Sequence, residues 1–225
     1  MPGGQPERIQ RSQAEQLKEW HRYLLGTYAS DCDNGLEVGC GFGYVMSNLE
    51  DLIPVEGIDI DTNQIAAARK VGHMVREMDG SSMDLEDGSF DLVYCSFYLM
   101  WTGQIRASLE EMSRVARRKV IVFSEPYWSG SIRSPPEMGE LVEAWKRLIR
   151  RRGGDPDSGL RTVESLRKMD MPCRFGTVPK DQSGIEIERI VALEEEVLIE
   201  EGINPEVPYP LYFDVPFIWG VIFKE

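Results

Sequence analysis

Short apolar runs and amphipathic stretches alternate along the chain, and their two periods separate strands from helices. Pro6 to Tyr28 places Ile9, Leu17, Trp20, Leu24 and Tyr28 at mostly helical spacing, which predicts one amphipathic helix over 6–28. After the turn signal Asp31 to Gly35, Leu36 to Val38 reads as a short buried strand. A glycine loop, Gly39 to Gly43, follows it, and a helix opens at Tyr44. Val55 to Ile60 is a second strand, and Asn63 to Val71 an alanine-rich helix capped by Asp61 or Thr62. His73 to Met78 gives a third strand and Phe90 to Ser96 a fourth. Ile105, Leu109, Met112 and Val115 mark a helix face before a fifth strand, Lys119 to Ser124. Strands alternating with helices in this way predict a parallel sheet with right-handed crossovers.

After Glu125-Pro126 the rhythm changes. Met138, Leu141, Val142, Trp145, Leu148 and Ile149 predict a strongly amphipathic helix, ended by Gly153-Gly154. Leu160 to Met169 reads as a shorter helix, and Met171 to Val178 and Val215 to Phe223 as strands. Between those strands lie an acidic helical segment, Glu186 to Glu201, and a proline-interrupted loop, Asn204 to Pro216. With 225 residues, no repeats and no low-complexity linker, the expectation is a single domain over 1–225. It divides into an N-terminal helix (6–28), a core (35–126) and a lid or substrate region with the C-terminal strands (127–225).

Composition narrows the classes. A formal net charge of −13 opposes binding to phosphate backbones, so nucleic acid is not the expected partner. No run approaches the ~20 apolar residues of a membrane span. Met1 to Arg11 is polar and without the apolar core of a secretory signal, so a cytoplasmic location is expected and no membrane partner. The four cysteines (Cys32, Cys40, Cys95 and Cys173) are scattered, which suits neither a disulfide framework nor a zinc site. No cluster of carboxylates and histidines suggests a catalytic metal.

The chemistry concentrates in L-E-V-G-C-G-F-G, Leu36 to Gly43. Glycines after a strand let the backbone turn tightly and approach a ligand, and the next helix offers unpaired N–H groups. Asp59 ends the second strand about twenty residues on, where a carboxylate suits ribose hydroxyls. Asp79 ends the third, followed by Gly80-Ser81. Two such carboxylates beside a glycine loop describe a nucleoside pocket at the sheet's carboxyl edge. A dinucleotide fingerprint, G-x-G-x-x-G, would need glycine at Tyr44; Gly43 comes one residue early, which disfavours NAD.

With these motifs in register, the segment Leu36 to Pro126 resembles the class I S-adenosylmethionine-dependent methyltransferases, in the small-molecule group called type 11. The resemblance implies an α/β, Rossmann-like, seven-stranded and mostly parallel sheet flanked by helices, its last strand antiparallel, with a helical lid insertion. It implies S-adenosyl-L-methionine as cofactor. Glu37 takes the first motif's acidic position, and Gly39, Cys40, Gly41 and Gly43 line the methionine moiety. G-I-D-I-D (Gly57 to Asp61) matches the second motif, with Asp59 on the ribose and Ile60 beside it. M-D-G-S-S (Met78 to Ser82) matches the third, with Asp79, Gly80 and Ser81 near adenine. D-G-S-F-D-L-V-Y-C-S (Asp87 to Ser96) brings Cys95 and Ser96 to the methionine part. Arg11, in R-S-Q-A, resembles an N-terminal helix residue that meets the cofactor carboxylate.

The implied activity is methyl transfer by in-line displacement to a small-molecule acceptor, with positioning and desolvation as its main requirements. The alternatives are a protein methyltransferase and a non-catalytic cofactor-binding scaffold or partner subunit. Glu125 and Tyr127, after the fifth strand, are the candidate catalytic pair. Tyr98, Trp101, Tyr127 and Trp128 are candidate pocket walls. The basic end of the long helix (Lys146, Arg147, Arg150, Arg151, Arg152) either receives an anionic substrate or complements the helix dipole. The base-methylation motif Asp/Asn-Pro-Pro-aromatic is replaced by Cys95-Ser96-Phe97-Tyr98, and Pro172-Cys173 lies too late in the chain to serve as a cytosine-methylating nucleophile.

Overall fold

The computed structural model describes residues 5–179, 184–210 and 212–224, so the first four residues of the polar N-terminus lie outside it. The elements begin with α1 (Glu7–Gln16), α2 (Lys18–Tyr28), β1 (Gly35–Val38), α3 (Tyr44–Leu49), β2 (Val55–Asp59), α4 (Thr62–Lys70) and β3 (Val75–Glu77). There follow β4 (Phe90–Cys95), α5 (Leu99–Thr102), α6 (Ile105–Val115), β5 (Ala116–Pro126) and β6 (Ile132–Ser134). The chain continues through α7 (Gly139–Arg151), α8 (Ser158–Lys168), β7 (Cys173–Thr177), α9 (Gly184–Glu200), β8 (Tyr212–Asp214) and β9 (Phe217–Phe223).

All four residues of β1 are buried, as a strand covered on both faces must be. It pairs in parallel with β2 on one side and β4 on the other. The seven-stranded order is β3-β2-β1-β4-β5-β9-β7, with β9 antiparallel to both its neighbours. This is the expected Rossmann-like, mostly parallel sheet with its last strand reversed. Strand order turns around between β1 and β4, and the crevice at their carboxyl ends is where such sheets take ligands. One face of the sheet carries Leu24 and Leu25 of α2 against Tyr94, Ile121 and Phe123. The other carries Leu109 and Met112 of α6 against Val93, Cys95 and Val120. A separate apolar cluster unites Leu141, Trp145 and Ile149 of α7 with Val191 and Leu198 of α9 and Phe213 of β8.

Four expectations need correction. The single N-terminal helix is two, α1 and α2, joined at Leu17 (φ −98°, ψ 5°). Its halves serve different surfaces: Ile9 packs into the α7–α9 cluster, whereas Leu24 packs on the sheet. The third strand starts only at Val75, because His73 turns back to α3, where its Nε2 lies 2.9 Å from the Ser47 hydroxyl. The fifth strand runs two residues past Ser124, since β9 supplies partners for Glu125 (Ile218) and Pro126 (Phe217). Glu125 therefore stands inside the sheet, not after it. The C-terminal loop also contains β8, which pairs with β6. No described helix is long and apolar enough to cross a membrane.

Candidate functional site

A cavity of about 290 Å³ opens at the carboxyl ends of β1, β2 and β4. Its floor is the glycine loop. Gly39 (φ +73°) and Gly41 (φ +53°) adopt the left-handed conformation that glycine takes without penalty. A Cβ on Gly41 would stand 2.5 Å from Gln10 Oε1 and 2.8 Å from Gln64 Oε1, so the backbone itself forms that surface. Gln10 reaches down from α1 and donates to Gln64 Oε1 at 3.1 Å, bridging the loop from above.

The carboxylates take separate tasks. Asp59 ends β2 and lines the cavity; its Oδ2 accepts the Gly41 N–H at 2.8 Å and its Oδ1 the Asp61 N–H at 2.9 Å. Burial raises its pKa, against the pull of these N–H groups. Asp61 resolves the capping question: its side chain accepts from Asn63 N and Gln64 N and closes the start of α4. Asp79 Oδ1 is engaged by both the N–H (2.8 Å) and the hydroxyl (2.7 Å) of Ser81. Glu37 lines the cavity at 2% exposure, and burial pushes its carboxyl well above the usual range. Its Oε2 is buried without a hydrogen-bond partner among the described residues.

Of the residues expected to hold the cofactor, Glu37, Gly39, Cys40, Gly41, Asp59, Ile60, Asp79, Gly80 and Ser96 all line this cavity. The other four do not. Cys95 is wholly buried in β4. Gly43 turns the chain into α3 (φ +82°) with His73 packed against it. Ser81 is spent on Asp79. Arg11 lies outside the cavity lining, donating to the Tyr44 hydroxyl at 3.0 and 3.3 Å; it is Tyr44 that lines the cavity.

Neither member of the expected catalytic pair lines the cavity. Glu125 is fully buried with both oxygens occupied by donors, and the Tyr127 ring packs against Gly130. Of the expected walls, Tyr98 and Trp101 line the cavity, while Trp128 stacks on Trp145 at 5.9 Å within the α7–α9 cluster. The basic end of α7 is away from the cavity as well: Lys146 pairs with Glu143, and Arg151 and Arg152 with Glu201. Gln13, from the R-S-Q-A stretch of α1, does line the cavity; unanticipated are Gln10 of α1, Gln64 of α4, and Phe97, Thr102 and Gln104 after β4. The i, i+3 spacing of Gln10 and Gln13 put them on one helix face; what was missing is that α1 crosses the carboxyl edge of the sheet.

The donor set fits S-adenosylmethionine. The unpartnered buried Glu37 Oε2 suits an ammonium, Asp59 suits a ribose diol, and Gly39 and Gly41 bring bare backbone to the cavity at positions where a Cβ would collide with Tyr98 or with Gln10 and Gln64.

Comparison with known proteins agrees. Residues 36–123 match the family described as Methyltransferase domain. A phosphatidylethanolamine N-methyltransferase of Cereibacter sphaeroides is 33% identical over 91 residues, which are 37% of this chain and 45% of that protein. A malonyl-[acyl-carrier protein] O-methyltransferase of Serratia marcescens is 25% identical over 116 residues, 50% of this chain and 43% of that one. The matched segments thus span under half of either relative. Among solved structures, geranyl diphosphate C-methyltransferase from Streptomyces coelicolor A3(2) superposes with a TM-score of 0.64 at 13% identity, covering 100% of this chain and 85% of that one. The YcgJ protein of Bacillus subtilis superposes with a TM-score of 0.62 at 15% identity, covering 92% and 99%. These two likenesses concern the fold. Residues 36–123 thus match the methyltransferase domain family, and the sheet built on them is consistent with a class I S-adenosylmethionine-dependent methyltransferase.

Proposed function

We propose that the chain transfers a methyl group from S-adenosylmethionine to a small-molecule acceptor held between the cavity and the helices that follow β5. The observation that carries this reading is the convergence, on one cavity, of the glycine cradle, carboxylates ending or following successive strands, and the aromatic wall of Phe97, Tyr98 and Trp101. When bound, the cofactor supplies an electrophilic methyl group on a sulfonium.

The residues do the rest by position. Asp59 would exchange its Gly41 contact for the ribose hydroxyls, Glu37 would accept from the ammonium, and Asp79 with the Gly80 backbone would meet the adenine edge. Ile60, 59% exposed at the cavity, offers apolar surface to the base. Phe97 and Trp101 exclude water from the reacting atoms, which strengthens every polar contact inside. Burial pushes the Tyr98 phenol up to about 12, and its hydroxyl is within hydrogen-bond distance of Ser108 at 3.0 Å, so it serves as wall rather than base. The lining residues include no histidine among those described. The acceptor therefore arrives as a competent nucleophile, and orientation supplies the acceleration.

The relatives' names span N-methylation of phosphatidylethanolamine and O-methylation of malonyl-[acyl-carrier protein], so they leave the accepting atom open. The test is incubation with methyl-labelled S-adenosylmethionine and a size-fractionated extract. Label is expected in the low-molecular-weight fraction. Label in protein instead, or in no fraction, would overturn the reading.

A further inference from the structure

Glu125, 0% exposed, is the most enclosed acidic residue among those described. Every hydrogen bond it receives comes from a donor on another element. The Leu99 N–H donates to Oε1 at 2.8 Å, the Met100 N–H to Oε2 at 3.0 Å, and the Ser158 hydroxyl to Oε2 at 2.9 Å. Leu99 and Met100 open α5, where backbone N–H groups lack helical acceptors. Ser158 is the first residue of α8. The β5–β9 register shifts between Val122 and Glu125, an irregularity of the kind that re-aims a side chain. The backbone is as close as the side chain: a Cβ on Gly159 would stand 2.7 Å from the Glu125 carbonyl oxygen.

A buried carboxylate is a poor way to gain stability, because its desolvation cancels much of the attraction. What converging hydrogen bonds secure is geometry. The geometry in question is the cavity wall. Phe97 holds the one positive φ (+52°) of a non-glycine residue among those described, and Phe97, Tyr98, Trp101 and Thr102 all line the cavity. The same segment is tied at two further points: the Phe97 N–H donates to Ser124 O at 2.9 Å, and the Asp155 N–H donates to Met100 O at 2.8 Å. Both ties, like Glu125, join the wall to the end of β5 or to the chain leading into α8.

We propose that Glu125 is a positioning residue of the methyl-transfer site, fastening the 97–102 wall and the start of α8 to the end of β5 in one arrangement. It touches no reactant and acts through Leu99, Met100 and Ser158. The proposal rests on the reading of the cavity given above, but its first readout needs neither cofactor nor acceptor.

Glu125→Gln keeps the size of the side chain but turns one acceptor oxygen into an NH2 group facing donors. Hydrogen–deuterium exchange on the free full chain should then rise by about tenfold at Leu99 and Met100, with residues 35–59 unchanged. S-adenosylhomocysteine, measured by calorimetry on the same sample, should bind several-fold more weakly. No rise at Leu99 and Met100, or an equal rise throughout the chain, overturns the proposal. Should Glu125→Gln fail to fold, Ser158→Ala removes a single donor and should give a smaller rise confined to 97–102; no local rise there refutes it. If wild-type protein binds no S-adenosylhomocysteine, the functional reading falls, while the exchange result still decides the role of Glu125 in the wall.

Discussion

His21 offers a prediction whose size follows from the structure. It sits on α2, fully buried, its ring 4.9 Å from that of Phe123, with neither ring nitrogen partnered among the described residues. Burial without a compensating acceptor holds its pKa down to about 3, against 6.5 for the free side chain. The unfolded chain therefore takes up the proton first, and stability drains away as pH falls below 6.5, by about 1.4 kcal/mol per unit, until about pH 3. Between pH 7.5 and 5 the loss is about 2 kcal/mol. Glu125 acts in the opposite sense. Burial raises its pKa to about 7 from 4.5, so the folded state binds the extra proton and gains about 2 kcal/mol over the same interval. Glu37 and Asp59, also raised by burial, act in the same sense as Glu125, so His21 is isolated by the difference between variant and wild type rather than by the wild-type profile. His21→Phe removes the titrating ring and keeps an aromatic beside Phe123. Urea unfolding at pH 7.5 and at pH 5 should show the variant gaining about 2 kcal/mol relative to wild type on acidification. A difference between the two proteins that does not change with pH would refute the assignment of His21 as a buried neutral imidazole.

Asp59→Ala should weaken S-adenosylhomocysteine binding by about 1–3 kcal/mol, read by calorimetry, while leaving the thermal midpoint within a few degrees. Unchanged affinity would remove Asp59 from the cofactor site. Gly41→Ala places a Cβ on a φ of +53°, at a cost of about 1–2 kcal/mol, and drives it to 2.5 Å from Gln10 Oε1. It should abolish measurable cofactor binding with the circular dichroism of the fold retained; binding at wild-type strength would contradict the backbone cradle.

What could be read from the chain was local. L-E-V-G-C-G-F-G announces its own turn, because positive φ at Gly39 and Gly41 is written in the residue type. The Asp61 cap, with Asp59 left over for the cavity, follows from the order of residues at the start of α4. What could not be read depends on contacts distant in sequence. Glu125 looked like a free residue beyond β5 because nothing nearby shows that β9, some ninety positions on, extends the strand past it. Gln10 could not be placed at the cavity because the break at Leu17, which separates α1 from α2, accompanies Ile9 docking into a cluster built from α7 and α9. Arg11 resembled a cofactor contact, yet it is exposed, outside the cavity lining, and bonded to Tyr44 and Glu7. Tyr127 follows β5 as expected, but its ring folds onto Gly130.

The central claim is that this cavity is built for S-adenosylmethionine. Titration calorimetry of the full chain with S-adenosylmethionine, S-adenosylhomocysteine and NAD tests it most directly. The account predicts saturable one-to-one binding of both sulfur compounds, lost or strongly weakened in Asp59→Ala, and no binding of NAD. Absence of heat from either sulfur compound at millimolar concentration, or tighter binding of NAD, would contradict it.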